Sequence, residues 1–147
     1  MKGGPFLTCE VLAIMAEITD RKLTIKHDHS KNTAHAVVTC KITFTGLELC
    51  MMRACPEERM FVLKCQLWGA DSGFNGSDDF LYTYNDVYAF PDGSPSSPES
   101  RTFDVTVGES LLDEDWGKDE VYGRLILRNL FTMVEKRRHT NTVSHSF

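Results

Sequence analysis

Nowhere among the 147 residues does an apolar run approach the roughly 18 residues that a membrane-crossing helix requires. No helical periodicity of useful length appears either, which argues against a helical bundle or a doubly wound α/β fold. Cys-x-x-Cys pairs are missing, and the cysteines, at 9, 40, 50, 55 and 65, are odd in number. A secreted disulfide framework would show an even count, so free thiols in a reducing cytoplasm are the expectation. No phosphate-binding loop, Gly-x-Gly-x-x-Gly or His-Glu-x-x-His is found, which removes the commonest nucleotide and zinc-peptidase signatures. Gly69-Ala70-Asp71-Ser72-Gly73 holds its Ser one place too late for a nucleophile elbow. An excess of positive charge is absent too. At a net −5 the chain is a poor candidate for nucleic-acid or anionic-membrane binding through charge alone.

What is present is a chain of one-domain length, 41% hydrophobic, large enough to bury a core without metal or disulfide staples. The apolar start from Pro5 to Ala16 imitates a signal peptide, but Glu10 interrupts it and no small-residue cleavage site follows. Residues 1–17 are therefore read as a flexible tail, with Met15 a conceivable second start, and residues 18–147 as a single domain.

The dominant period is two. Ala34, Ala36, Val38, Cys40, Ile42 and Phe44 fall on one face of a long strand, with His35, Thr39, Lys41 and Thr43 opposite. Leu23 with Ile25, Phe61 to Leu67, Phe103 to Val107, and Val121 to Leu127 repeat the pattern. Phe80 to Phe90 is β-prone but split near Asn85-Asp86, and the segment from Thr132 to Phe147 suits a last strand. Turn-forming clusters punctuate these runs, including the Pro- and Ser-rich Pro91–Ser100. The pattern predicts an antiparallel β-sandwich of seven to nine strands, immunoglobulin-like or C2-like, with a small barrel as the alternative.

Charge is segregated. Residues 71–120 carry 2 basic and 13 acidic side chains, whereas residues 121–147 carry 5 and 1. Two segments concentrate the oxygen donors: Asp71, Asn75, Asp78 and Asp79 in the first, and Asp113, Glu114, Asp115, Asp119 and Glu120 in the second. Alternate carboxylates in a glycine-bearing loop can converge on a hard cation, and Ca²⁺ takes 6–8 such oxygens. Turn chemistry and solvation explain the same residues without metal. Asp113-Glu114-Asp115, then Asp119-Glu120, Val121-Tyr122-Gly123 and the run Arg124–Leu127, resemble the third calcium loop of C2 domains. That resemblance implies Asp113, Asp115 and Asp119 or Glu120 as Ca²⁺ ligands, with Gly123 opening the next strand. It also implies a membrane-binding role, for which Trp116 and Phe74 are the apolar tip residues. Tyr122 can equally serve as the tyrosine corner of an immunoglobulin-like sandwich.

His27-Asp28-His29 places two imidazoles on one strand face, with His35 a third candidate ligand for a transition metal; a polar turn accounts for them as well. The basic run Lys136-Arg137-Arg138 either protects an edge strand or meets the acidic segment, within one molecule or between two. Phe80, Tyr82, Tyr84, Tyr88 and Phe90 serve the core or a recognition surface. The reading is a non-catalytic binding or assembly module with a protein partner, self-association included, and Ca²⁺ a candidate ligand. Its alternatives are a calcium-dependent C2-like membrane-binding domain and a hydrolase using the Asp113–Glu120 carboxylates.

Overall fold

The period-two pattern resolves into two antiparallel sheets. The structure, a computed structural model, describes residues 15–70, 78–112 and 119–145, the side chains of Asp119 and His145 excepted. In chain order its elements are β1 (Glu17–Asp28), β2 (Thr33–Thr43), α1 (Gly46–Ala54), β3 (Phe61–Gly69), β4 (Asp79–Thr83), β5 (Tyr88–Phe90), β6 (Glu99–Gly108), α2 (Glu109–Leu112), β7 (Asp119–Asn129) and β8 (Glu135–His145). One sheet runs β1-β2-β6; the other runs β4-β3-β7-β8, with β5 also paired to β3. The protein is an all-β sandwich and not a closed barrel.

Side chains alternate as the sequence predicts. Ala34, Ala36, Val38, Cys40, Ile42 and Phe44 are buried, and they face Phe61, Leu63, Cys65 and Leu67 of β3 and Val121, Leu125 and Leu127 of β7 across one core. Each large apolar side chain so buried contributes roughly 1.5–3 kcal/mol. That burial is what fixes the strand registers, because a one-residue slip would turn the whole set out to solvent.

β1 obeys the same rule by an added device. Ile18 and Leu23 are both buried, although an odd separation would put them on opposite faces of a regular strand. A bulge between Thr19 and Lys22, with Asp20 at φ 49°, inserts the residue that restores the parity. A second register shift, between Tyr122 and Arg124 of β7 and their partners on β8, does the same for β8. There Thr140 is buried opposite Gly123, and its Oγ1 accepts the Gly123 N–H at 2.8 Å in place of a ladder bond. Gly123 is thus the middle of β7 rather than its opening. A Cβ on it would lie 3.0 Å from Thr140 Cγ2 and 3.0 Å from Val38 Cγ2 of the opposite sheet.

Both helices are missing from the sequence reading, and α1 is the longer. Thr45 caps α1 through a reciprocal box: its Oγ1 accepts the Glu48 N–H at 3.1 Å, and Glu48 Oε1 accepts the Thr45 N–H at 2.8 Å. The other oxygen of Glu48 accepts the N–H of Ala16 at 3.1 Å, so the described chain is already anchored and buried at Ala16.

Candidate functional site

The strands give the sandwich two chemically distinct ends. At one end lie the β1–β2 turn, α2, the start of β7 and the stems of both acidic segments. At the other lie Met15, α1, the Pro91–Pro98 connection and the β7–β8 turn.

At the first end, β3 and β7 pair from Phe61↔Asn129 to Gly69↔Val121. One residue further the Ala70 N–H donates to the Glu120 carbonyl at 2.8 Å, which ties the stem of residues 71–77 to the stem of residues 113–118. Of the predicted ligands, Asp71, Asn75, Asp113 and Asp115 lie outside the described residues, as do Phe74 and Trp116. Asp119 opens β7 opposite His145, and Glu120 is half-buried beside it. Asp79 pairs with Gly69 in the β3–β4 ladder and is exposed. Among the described residues, no set of three or more His, Cys, Asp or Glu is arranged to hold a metal ion.

Asp78 has a defined task. Its Oδ2 accepts the Tyr122 hydroxyl at 2.6 Å, and Arg124 donates to that phenol oxygen at 3.3 Å. The Arg124 guanidinium lies 4.0 Å over the Trp68 ring, while Phe80 meets Trp68 edge-on and His139 packs on Tyr122 at 4.5 Å. Burial, then the bond to Asp78 and its charge, push the Tyr122 phenol above its ordinary range. Burial and the Arg124 charge hold His139 below 6.5. Tyr122 is therefore bound to a carboxylate and not to an upstream carbonyl, so the tyrosine-corner reading is replaced by this outer-face cluster. Held protonated, the phenol is a hydrogen-bond donor that links the stem of the first acidic segment to β7.

The histidines separate into two sets. His27 and His29 stack at 5.6 Å, their Nδ1 atoms 3.6 and 3.2 Å from Glu109 Oε1, while His35 is held by Asp104 at 2.5 Å. The structure does not bring the three together.

The basic run lies on β8, the last strand in the order of its sheet, as the edge-strand reading has it. Arg138 and Lys136 reach Glu17 of β1 at 2.9 and 3.3 Å, and Arg137 reaches Glu135. The pairs to Glu17 form a strap between the two sheets. Among the aromatic residues, Tyr84 and Phe90 are buried, and Tyr84 and Tyr88 both pack on Phe103; Phe80 is half exposed. Cys40 and Cys65 are buried free thiols, whereas Cys50 and Cys55 on and after α1 are exposed and unbridged.

The second end was not foreseen. Met15, Leu47, Met51, Met60, Phe131 and Val134 line an apolar groove of about 240 Å³ between α1 and the β7–β8 turn. Leu47 is 58% exposed and Val134 46%. Sequence order hides the groove, since its walls come from four separate segments. The signal available was the Thr45-x-x-Glu48 capping pattern, which marks a helix with an exposed Leu and Met.

No family model and no curated protein matches this chain. Among solved structures, a Northeast Structural Genomics Consortium target, SoR45, matches with a TM-score of 0.38 and 13% identity over 88% of this chain and 84% of its own. A Bordetella pertussis protein provisionally assigned as ApaA matches with a TM-score of 0.35 and 10% identity, over 88% and 89% of the two chains. Neither likeness bears on function.

Proposed function

We propose that this chain is a non-catalytic binding module whose ligand end is the acidic one, with Ca²⁺ held by Asp113, Asp115, Asp119 and Glu120. The observation that supports this reading best is the Ala70–Glu120 backbone bond, which makes the stems of the two acidic segments neighbours. Residues 71–79 and 113–120 together carry eight carboxylates and one Lys. Carboxylates gathered on adjoining stems repel one another, and a bound divalent cation converts that cost into attraction. The cation in turn presents a charged, ordered tip to a protein partner.

The test is thermal. Calcium at 100 times its Kd adds about 2.7 kcal/mol, a rise of about 5–10 °C in Tm for a domain of this size. Asp113→Asn with Asp115→Asn removes the rise. Superimposable melting curves in EDTA and in calcium defeat the proposal. Sedimentation with anionic vesicles, with and without calcium, separates a protein-facing module from the C2-like membrane role: calcium-dependent pelleting selects the membrane.

A further inference from the structure

We infer that the apolar groove at the opposite end is the seat of this chain's own segment from Phe6 to Ile14, docked in cis. This inference is independent of the calcium reading. Three observations carry it. First, the surface that the groove exposes is apolar although Thr45, Glu48, Asn129 and Thr132 also border it, and the exposed Leu47, Met51, Phe131 and Val134 around it form a patch of the kind that is normally covered. Second, the chain leaves the described residues at the groove itself. Met15 is one of its walls, and the Ala16 N–H is fixed to Glu48 of α1, the helix that forms another wall. Third, six of the nine residues from Phe6 to Ile14 are apolar, namely Phe6, Leu7, Val11, Leu12, Ala13 and Ile14. Nine residues reach at most about 30 Å when extended, several times the width of a 240 Å³ groove. Length therefore does not restrict the docking.

Tethering selects the occupant. A segment joined directly to a groove wall has an effective concentration of about millimolar. A second copy at micromolar concentration, or a partner presenting a similar apolar stretch, competes at a disadvantage of about a thousandfold. The groove is in this view a filled site.

The methionines report on this directly. In the full chain labelled with ¹³C-methyl methionine, a soluble paramagnetic agent should relax the Met51 methyl several-fold less than that of Met133. Met133 is 58% exposed in the β7–β8 turn and does not line the groove; Met52, the buried methionine of α1, is the internal control for folding. Leu7→Asp with Leu12→Asp should raise Met51 relaxation several-fold, with the Met52 and Met133 signals unchanged. Met51 relaxed as strongly as Met133 in the unaltered chain overturns the inference without reference to any variant. Protection of Met51 that disappears on dilution overturns it too, in favour of a second copy.

Discussion

Ala16 donates its backbone N–H to Oε2 of Glu48, 32 residues away, while the other oxygen of that carboxylate closes the capping box of α1. One buried side chain therefore fastens the entry of the chain to the start of the helix. Glu48→Ala leaves the Ala16 and Thr45 N–H groups without their acceptors, at about 1–3 kcal/mol. Urea denaturation should show a lower midpoint at unchanged slope. Glu48→Gln, which keeps one acceptor oxygen, should lose less than the alanine variant; an equal loss would mean that the bond the amide oxygen retains contributes nothing.

Gly123 sits between Thr140 of the neighbouring strand and Val38 of the opposite sheet. Gly123→Ala should destabilise the protein by about 1–3 kcal/mol through overpacking, since its Cβ meets methyl groups of both Thr140 and Val38 at 3.0 Å. Thr140→Ser removes one of those methyls and keeps the hydroxyl that Gly123 needs, so the double variant should recover part of the loss. Gly46→Ala, with open space around it, serves as the comparison and should cost nothing.

Acid should weaken the protein in two stages. Burial raises the Glu17 carboxyl, but bonds from Arg138 and the Ile18 N–H and the charge of Lys136 outweigh it, leaving the group below its ordinary 4.5. A carboxyl lowered by folding contributes stability that is complete above 4.5 and is lost as pH falls through the folded value. His139 is lowered from 6.5, so its contribution is complete above 6.5 and declines as the pH drops below that. His139→Gln should flatten the upper stage of a stability-versus-pH curve, and Glu17→Gln the lower. Curves parallel to the unaltered protein's in both variants would contradict the assignment.

Thiol reactivity should divide by location. Burial pushes Cys40 up to about 11 against the opposing charges of Arg101 and Arg21, and pushes Cys65 higher still. Both are short of thiolate and of access. In peptide-resolved alkylation, Cys50 and Cys55 should react in the native protein, while Cys40 and Cys65 wait for unfolding. Rapid native labelling of Cys65 would place it on the wrong side of the sheet.

The strands were readable because burial on one face writes itself directly into the sequence: every inward residue from Ala34 to Phe44 was identifiable from alternation. α1 escaped notice because its nine residues bury Glu48 and Met52 while exposing Leu47 and Met51, which is no apolar stripe at all. The full length of β1 escaped for a related reason, since the bulge at Asp20 changes the parity between Ile18 and Leu23. The acidic segments were visible as composition, but that their stems adjoin depends on the β3–β7 register, and no local pattern encodes it. Likewise the Glu17 strap joins residues about 120 positions apart, where charge counting by segment pointed elsewhere.

Asn141 closes the seam between β1 and β8, accepting the Leu23 N–H at 2.8 Å and donating to the Leu23 carbonyl at 3.1 Å. A side-chain amide here takes the role of a peptide group, occupying the hydrogen-bonding positions that another chain would need in order to add to the outer edge of β1. Asn141→Leu would accordingly do more than delete two bonds. It would uncover a template, and slow fibrillar growth in concentrated samples, rather than a lowered melting point alone, is the damage to expect.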